Sequence, residues 1–341
     1  MKATVGSVVL AFCSLSALGA TRALAQAAPK FGEPQLEQLV APIALYPDAL
    51  LAQVLMSSTY PYEIFEAQRW VRQNSGLTGA ALESALTQHD WEPSVKAMCG
   101  FPSVLERMNG NLDWTKDLGD AFLAQKAGVL ATVQSMRHKA LQSGSLKTTE
   151  QQTVAEEDSM IAITSAGPDV ICVPTYSPLF VYGAAWHYPT YDYPALYGAP
   201  VAGEEAIAFT TGVAWGAAMY GSCDWHQGDV IVDVDRYNAF DKSTAHSANV
   251  QYAAGQQAAW HHDPVHRRRV NYGDAESARK YGWAQAVNDY ARGRARAYGD
   301  QAAARGYADS GGAFSGSSSG SLDRDASERG AASWRGRDRP R

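Results

Sequence analysis

The stretch LYPDALLAQVLMSSTYPYEIFEAQRW, from Leu45 to Trp70, holds two Tyr-Pro pairs, three carboxylates and a long apolar run. Asp48 follows the first proline and is placed to cap a helix, its carboxylate accepting free N–H groups of the first turn. Leu50, Leu51, Val54 and Leu55 then fall at helical spacing. That helix must end near Thr59, because the residue before Pro61 is pushed out of the helical region. Pro61 suits the first turn of a second helix, where its missing N–H costs nothing. Ile64, Phe65, Ala67, Trp70 and Val71 give the second helix its predicted buried face, and Gly76 its end. Glu63, Glu66 and Arg69 sit three apart. They read as an acidic first turn with Arg69 pairing to Glu66, rather than as a catalytic carboxylate pair. The stretch therefore predicts two helices and the corner between them, with the rings of Tyr46 and Tyr60 covering the corner.

Working outward, helical signals recur at 33–40, 80–88, 94–99 and 102–108. A long helix then runs from Asp113 through Trp114, Leu118, Phe122, Val129, Val133, Met136 and Ala140. Arg137, His138 and Lys139 lie near its negative end, as surface cations complementing the dipole, and Gly144 closes it. Residues 33–145 are thus expected to form a bundle-like helical domain.

The polar stretch 145–159 reads as a linker with a helical turn around 148–157. The period then changes. VICVPTYSPLFVYG, residues 170–183, reads as two strands about a Pro-rich turn. DVIVDVD, residues 229–235, alternates as a half-buried strand, with Val230, Val232 and Val234 on one side. Its aspartates lack the turn glycine and distal glutamate of a calcium loop. AIAFTTGVAWGAAMYG, residues 206–221, carries no charge and has Gly212 and Gly216 at close-contact spacing. It is too short for an ordinary membrane span, and a small-residue core helix is the plainer expectation beside a membrane-associated or self-associating segment. Residues 160–240 form a small β-containing module on this reading. The fold class is α+β: a helical N-terminal domain, a small strand-containing module, and a largely disordered, low-complexity basic tail over 242–341 with a transient helix at 281–298.

The first 25 residues have the pattern of a signal peptide: Lys2, an apolar run from Val5 to Leu18, and the small-x-small Ala23–Ala25, with cleavage expected between Ala25 and Gln26. Cys13 follows Phe12, where a lipid-attachment box needs a small residue. The chain is expected to be exported, periplasmic or envelope-associated. Cys99, Cys172 and Cys223 then remain, an odd count that allows one bridge at most, with Cys99 most simply a buried thiol. The formal charge is -6, yet residues 260–341 carry 15 basic and 10 acidic side chains. A basic tail outside the cytoplasm suits anionic envelope polymers or lipid headgroups rather than nucleic acid, or is simply a solvated tail.

Two stretches carry candidate site residues. The Tyr/Pro-rich WHYPTYDYPALYGAP, with the preceding strands, offers Tyr176, Tyr182, Trp186, Tyr188, Tyr191, Tyr193 and Tyr197. These rings can stack on sugar faces or sit at a lipid interface. The plainer reading is an aromatic flap folded over its own domain. WHHDPVHRRR, residues 260–269, gathers His261, His262, Asp263 and His266, with Cys223 and His226 in a second fragment. Imidazoles bind zinc or copper, but no recognised ligand spacing is present, and three adjoining arginines repel a cation. No nucleophile elbow, phosphate-cradling loop or dinucleotide fingerprint occurs, and no cofactor is implied.

LVAPIALYPDALLAQVLMSSTYP, EAQRW, WEPSVKAM, FPSVLERMNGNLDWTKDLGDAFLAQ and VPTYSPLFVYG, followed by HHDPVHRRRVNYGD, occur in this order over about residues 35–275. In these motifs the chain resembles the bacterial domain-of-unknown-function 3300 family. The resemblance implies a secreted or envelope-associated protein, often lipid-anchored, with a helical part, a strand-rich part and a variable tail. It implies no reaction and no catalytic residues. The chain departs from lipid-anchored members at Phe12–Cys13, and Arg269 stands where a glycine is expected. The leading expectation is a non-enzymatic docking or structural module contacting an envelope protein, glycan or anionic lipid. The alternative is an envelope hydrolase or metal-dependent enzyme using His261, His262, Asp263 and His266.

Overall fold

A computed structural model describes residues 31–282, apart from 168–169, 184–185, 189, 191, 198–205, 211, 215–218 and 241–256. The architecture is α+β, with an N-terminal helical region followed by a strand-containing module. Seven helices come first: α1 Glu33–Val40, α2 Asp48–Ser58, α3 Pro61–Gln73, α4 Gly79–Leu86, α5 Pro93–Met98, α6 Pro102–Gly110 and α7 Leu112–Gln142. Four of the seven carry proline in the first turn, where it is pre-shaped for the helix. The α2–α3 corner is built as its sequence predicts. Ser57, Ser58 and Thr59 turn their hydroxyls back onto the carbonyls of Val54, Leu55 and Met56, ending α2. Leu50, Leu51, Val54, Leu55 and Ile64 are fully buried, each contributing roughly 1.5–3 kcal/mol of transfer free energy. Phe65, by contrast, is 45% exposed, because the neighbours of α3 cover its Glu63, Ile64, Ala67 and Gln68 side.

Helix α7 is broken at Gln125 (φ −147°, ψ 53°). The Gln125 amide accepts from the N–H of Phe31 and donates to its carbonyl, both at 3.1 Å, which ties the entry of α1 to the break.

The strands are short and antiparallel. β1 Gln152–Glu157 pairs with β2 Met160–Ser165, β3 Val170–Ile171 with β6 Val213–Ala214, and β4 Pro174–Tyr176 with β5 Ile207–Phe209. β7 Gly221–Asp224, β8 Asp229–Asp233 and β9 Gln257–Ala259 form a three-stranded sheet. Short helices α8 Pro178–Val181, α9 Val234–Phe240 and α10 Ala275–Tyr281 complete the order. One apolar cluster runs from Phe31 through the helices and the strand-containing module to Trp260.

Several local expectations change. The helical turn around 148–157 is strand β1, joined to β2 through Asp158 and Ser159, both with positive φ. That two-residue hairpin turn usually advertises itself with Asn-Gly or Asp-Gly, and here it does not. The second strand expected before Gly183 is the helical turn α8, started by Pro178. The core helix expected over 206–221 is absent from its described part, which holds β5, β6 and the first residue of β7. Thr210 ends β5 and accepts a hydrogen bond from the N–H of Val173 at 3.0 Å, a strand-side role natural to a β-branched residue. Gly212 permits close approach, since a Cβ there would sit 2.3 Å from the side chain of Val170. Among the described residues no helix is long and apolar enough to cross a membrane. The strand expected at 229–235 is found as β8, with Val230 and Val232 fully buried. Asp233 ends it and accepts from the N–H of Arg236 in α9.

Candidate functional site

The α2–α3 corner is the floor of a polar site. Helix α7 reaches it at Gly119, where a Cβ would lie 2.3 Å from the carbonyl oxygen of Ser58. Any side chain there forces the helices apart, and with them Asp120. The fully buried Asp120 carboxylate accepts from Lys116 at 2.6 Å and from Arg267 at 2.7 Å. Arg267, 1% exposed, also donates to the carbonyls of Thr59, Val270 and Asn271, and its guanidinium lies 4.3 Å from the centre of the Tyr272 ring. The orphan carbonyl at the end of α2 thus receives its partner from a residue more than 200 positions later.

Glu63 is the second fixed point, with no exposed surface. Its carboxylate accepts from the N–H of Glu92 at 2.7 Å, meets Nδ1 of His266 at 2.9 Å and accepts from Nε of Arg268 at 3.3 Å. Burial works against a charged imidazole at His266. The hydrogen bond and charge of Glu63, with Asp263 and Glu92 behind it, outweigh burial and lift the group to about 9. Glu92 caps α5 through the N–H of Ser94, and burial raises its carboxyl to about 7 despite Ser94 and His266. His262 goes the other way: burial, then Arg267 and His266, hold it well below the ordinary imidazole value. It stacks on Tyr60 at 5.0 Å, and its ring nitrogens meet the hydroxyls of Thr59 and Tyr272.

The outer side of this segment is open. Tyr62 and Phe65 are each 45% exposed on α3. Tyr62, Glu66, Val265, Arg268 and Arg269 line a hollow of about 610 Å³. Arg268 and Arg269 both hold left-handed backbone, with φ of 52° and 68°. Such geometry is costly for a residue with a Cβ and accumulates at functional positions.

The histidine-rich candidates are therefore divided. His262, Asp263 and His266 are buried in the segment's inner face, and His261 is exposed. His262 and His266 face different partners. Among the described residues no group of three or more His, Cys, Asp or Glu is arranged to hold a metal ion, so nothing in them supports the metal-enzyme alternative. Cys99, Cys172 and Cys223 are free thiols, with Cys99 and Cys223 buried. Burial pushes both of those buried thiols up, away from the nucleophilic thiolate.

The aromatic candidates fold back onto the helices. Tyr176, Tyr182, Trp186 and Tyr197 are buried. Tyr176 and Tyr182 donate to the carbonyl of Ala41, and Tyr197 to that of Gln38. Tyr188 donates to Glu37 and Tyr193 to Asp117. Trp186 sits among Tyr182, Tyr188 and Tyr197, with ring centres 5.4–5.8 Å away. Tyr191 lies outside the described residues.

The roles expected for two charged residues are overturned. Asp48 does not cap α2 with its side chain. It pairs with Arg137 at 2.6 Å and accepts from the Trp225 indole at 3.1 Å. Arg137 is no surface cation: it is fully buried and also donates to the carbonyls of Ala44, Tyr46 and Ile161. Glu63 lies in the first turn of α3 as expected, but it is fully buried and bound to distant partners. The partners of Asp48 lie 89 to 177 residues away and those of Glu63 lie 29 to 205 residues away, beyond the reach of local spacing.

A family profile described as "Protein of unknown function (DUF3300)" matches residues 32–262. The "Uncharacterized protein YacH" of Escherichia coli (strain K12) is 31% identical over 320 residues, covering 74% of this chain and 50% of that protein. The chain thus spans about half the length of this relative. No solved structure matches.

Proposed function

Because the chain belongs to the DUF3300 family, whose description names no reaction, we propose from its surface chemistry that it is an exported, non-enzymatic envelope module that docks on an anionic glycan. The observation that carries this reading is the outer face of residues 260–272, which clasp the α2–α3 corner through His262, Asp263 and Arg267. Two exposed rings, Tyr62 and Phe65, stand on the helix that borders a hollow holding Arg268 and Arg269 in left-handed backbone. Flat rings stack on sugar faces, and guanidinium forks match carboxylate or phosphate. Arg268 reaches inward to Glu63 and Asp90 from the exposed side of the same segment, so cations and exposed rings stand together on this face. Export is supported by the residues before Gln26, which have signal-peptide character.

The test is binding of the full chain to polygalacturonate, with neutral dextran and anionic phospholipid vesicles as comparators. Polygalacturonate should bind, and should weaken steeply as salt shortens the screening length to about 8 Å at physiological strength. Tyr62→Ala and Arg269→Ala should each weaken it, while a chain ending at Gly282 should retain it. Equal binding of dextran, a preference for vesicles, or loss of binding only on removing the residues after Gly282 would overturn the reading. The last result would move the contact to the basic tail.

A further inference from the structure

One cation belongs to both faces of the clasp. Arg268 lines the outer hollow beside Tyr62, Glu66 and Arg269, and its side chain is 37% exposed. The same guanidinium reaches inward. Its Nε donates to Oε1 of Glu63 at 3.3 Å, and its Nη2 donates to the carbonyl of Asp90 at 2.9 Å. Oε1 of Glu63 is also the atom that Nδ1 of His266 meets at 2.9 Å. An imidazole and a guanidinium thus share one buried carboxylate oxygen, and only the imidazole can give up its charge, since arginine stays protonated. The groups around His266 come from several elements. Glu63 faces it from α3 and Glu92 from the start of α5. The Tyr60 ring meets it edge-on at 6.2 Å from the α2–α3 corner, and its own segment adds Asp263 and His262. Burial holds Tyr60 protonated and His262 neutral, and Arg267 is committed to Asp120. None of these takes over the compensation of Glu63.

We propose that the anion-docking hollow is proton-linked: His266, acting through Glu63, sets whether Arg268 is held inward or turned to the bound anion. The proposal rests on the docking reading above and adds its regulation. While His266 is charged, Glu63 keeps a buried cationic partner when Arg268 turns outward. Once His266 loses its proton, Arg268 is the remaining cation on Glu63. Withdrawing it then strands a buried carboxylate, which is costly. The effect is reciprocal, so an anion that engages Arg268 tightens the hold of His266 on its proton. The sign follows from the inner charges. His266 titrates at about 9 and Glu92 at about 7, so rising pH first adds an inner negative charge and then removes an inner positive one. Both changes hold Arg268 inward, and anion binding weakens.

Polygalacturonate titrations of the full chain at pH 6.5 and pH 9.5, at constant ionic strength, test this. The polymer carboxylates and the arginines keep their charge across that interval. Affinity should fall by at least about threefold, the change that a one-unit rise in the His266 pKa on binding produces over this interval. His266→Gln leaves Arg268 as the cation on Glu63, so it should already bind weakly at pH 6.5 and lose most of the dependence. Glu63→Gln removes the charge that holds Arg268. It should bind at least as tightly as the unsubstituted chain at pH 6.5 and keep that affinity at pH 9.5. Opposite signs from two substitutions at one contact separate a linked cation from a loosened fold, which weakens both, and melting temperatures in the same buffers identify the folded samples. Affinity that stays flat or rises in the unsubstituted chain overturns the linkage and leaves the docking reading standing. So does a full decline that persists in folded His266→Gln or Glu63→Gln, because it belongs to the general loss of positive charge across the chain. Absence of binding at both pH values overturns the docking reading and the linkage together.

Discussion

Two segments strap across the helical region, and they are fastened differently. The aromatic strap, within residues 176–197, is held chiefly by neutral phenols donating to main-chain carbonyls, as Tyr182 does to Ala41 at 2.6 Å and Tyr197 to Gln38 at 2.8 Å. The histidine–arginine strap, residues 260–272, is held by ions: Arg267 on Asp120, and His266 with Arg268 on Glu63. The first seam combines large apolar area with hydrogen bonds that do not titrate near neutrality. The second sets buried charges against each other, where each partner depends on the other for its solvation. Ring-rich segments thus give this fold adhesion, and the charged segment gives it a seam that responds to pH and to single substitutions.

The largest expected effect lies in the charged strap. Arg267→Met removes the guanidinium from the buried Asp120 carboxylate, and removing one member of a buried pair costs about 3–5 kcal/mol. Denaturant unfolding should show this loss. The double variant Arg267→Met with Asp120→Leu should recover a large part of it, because the stranded charge is gone. A single-variant loss below about 1 kcal/mol would place this pair among ordinary surface bridges and erase the contrast between the straps.

The pH response comes next. His266 is raised above its unfolded value of 6.5, so its contribution is full below pH 6.5 and disappears as pH climbs through about 9. Glu92, raised from 4.5 to about 7, adds a penalty that grows as pH rises from 4.5 and is complete above about 7. Both act in the same direction. The melting temperature should therefore fall between pH 6 and pH 9.5. His266→Gln should flatten the upper part of that decline, and Glu92→Gln the part below pH 7. A melting temperature that rises with pH in this window, or a decline indifferent to both variants, contradicts the assigned seam.

How much of this was legible in the sequence follows the same division. The α2–α3 corner, the first seven helices and β8 rest on local spacing, proline placement and alternation, and the chain's own neighbours supply those signals. The partners of Asp48 and Glu63 are set by tertiary contact, so local rules gave a cap and a first-turn acid and could not show that the fold uses both as struts. The outward turn of Phe65 was equally hidden, because helical periodicity names a face only to within a residue or two at its edge. The Asp158–Ser159 hairpin escaped for lack of a glycine, and strands of two or three residues such as β3 and β6 are too short to show a period. Of the candidate site residues, the histidine–arginine cluster was visible as composition. Its division into an inner and an outer face was not.

In the aromatic strap, Tyr182→Phe removes one of two hydroxyls on the Ala41 carbonyl, since Tyr176 remains. The expected loss is about 1 kcal/mol, and it should be the same at pH 6 and pH 9. A loss that varies across that range would mean that the aromatic seam shares the electrostatics of the charged one.

The smallest effect concerns Arg269, and it has the opposite sign. Its φ of 68° lies where a side chain costs roughly 1–2 kcal/mol and a glycine costs nothing. Glycine, however, gives back about 0.5–1 kcal/mol through its freer unfolded chain. Arg269→Gly should therefore stabilise the protein by about half a kcal/mol, readable as a slightly higher denaturation midpoint with an unchanged slope. If the clasp's outer face docks an anionic glycan, the same substitution should weaken polygalacturonate binding while it steadies the fold. A position where stability and binding respond oppositely carries its arginine for the partner rather than for the fold. Should Arg269→Gly destabilise the chain and leave binding intact, Arg269 belongs with Arg267 among the struts, and the two faces of the strap lose their distinction.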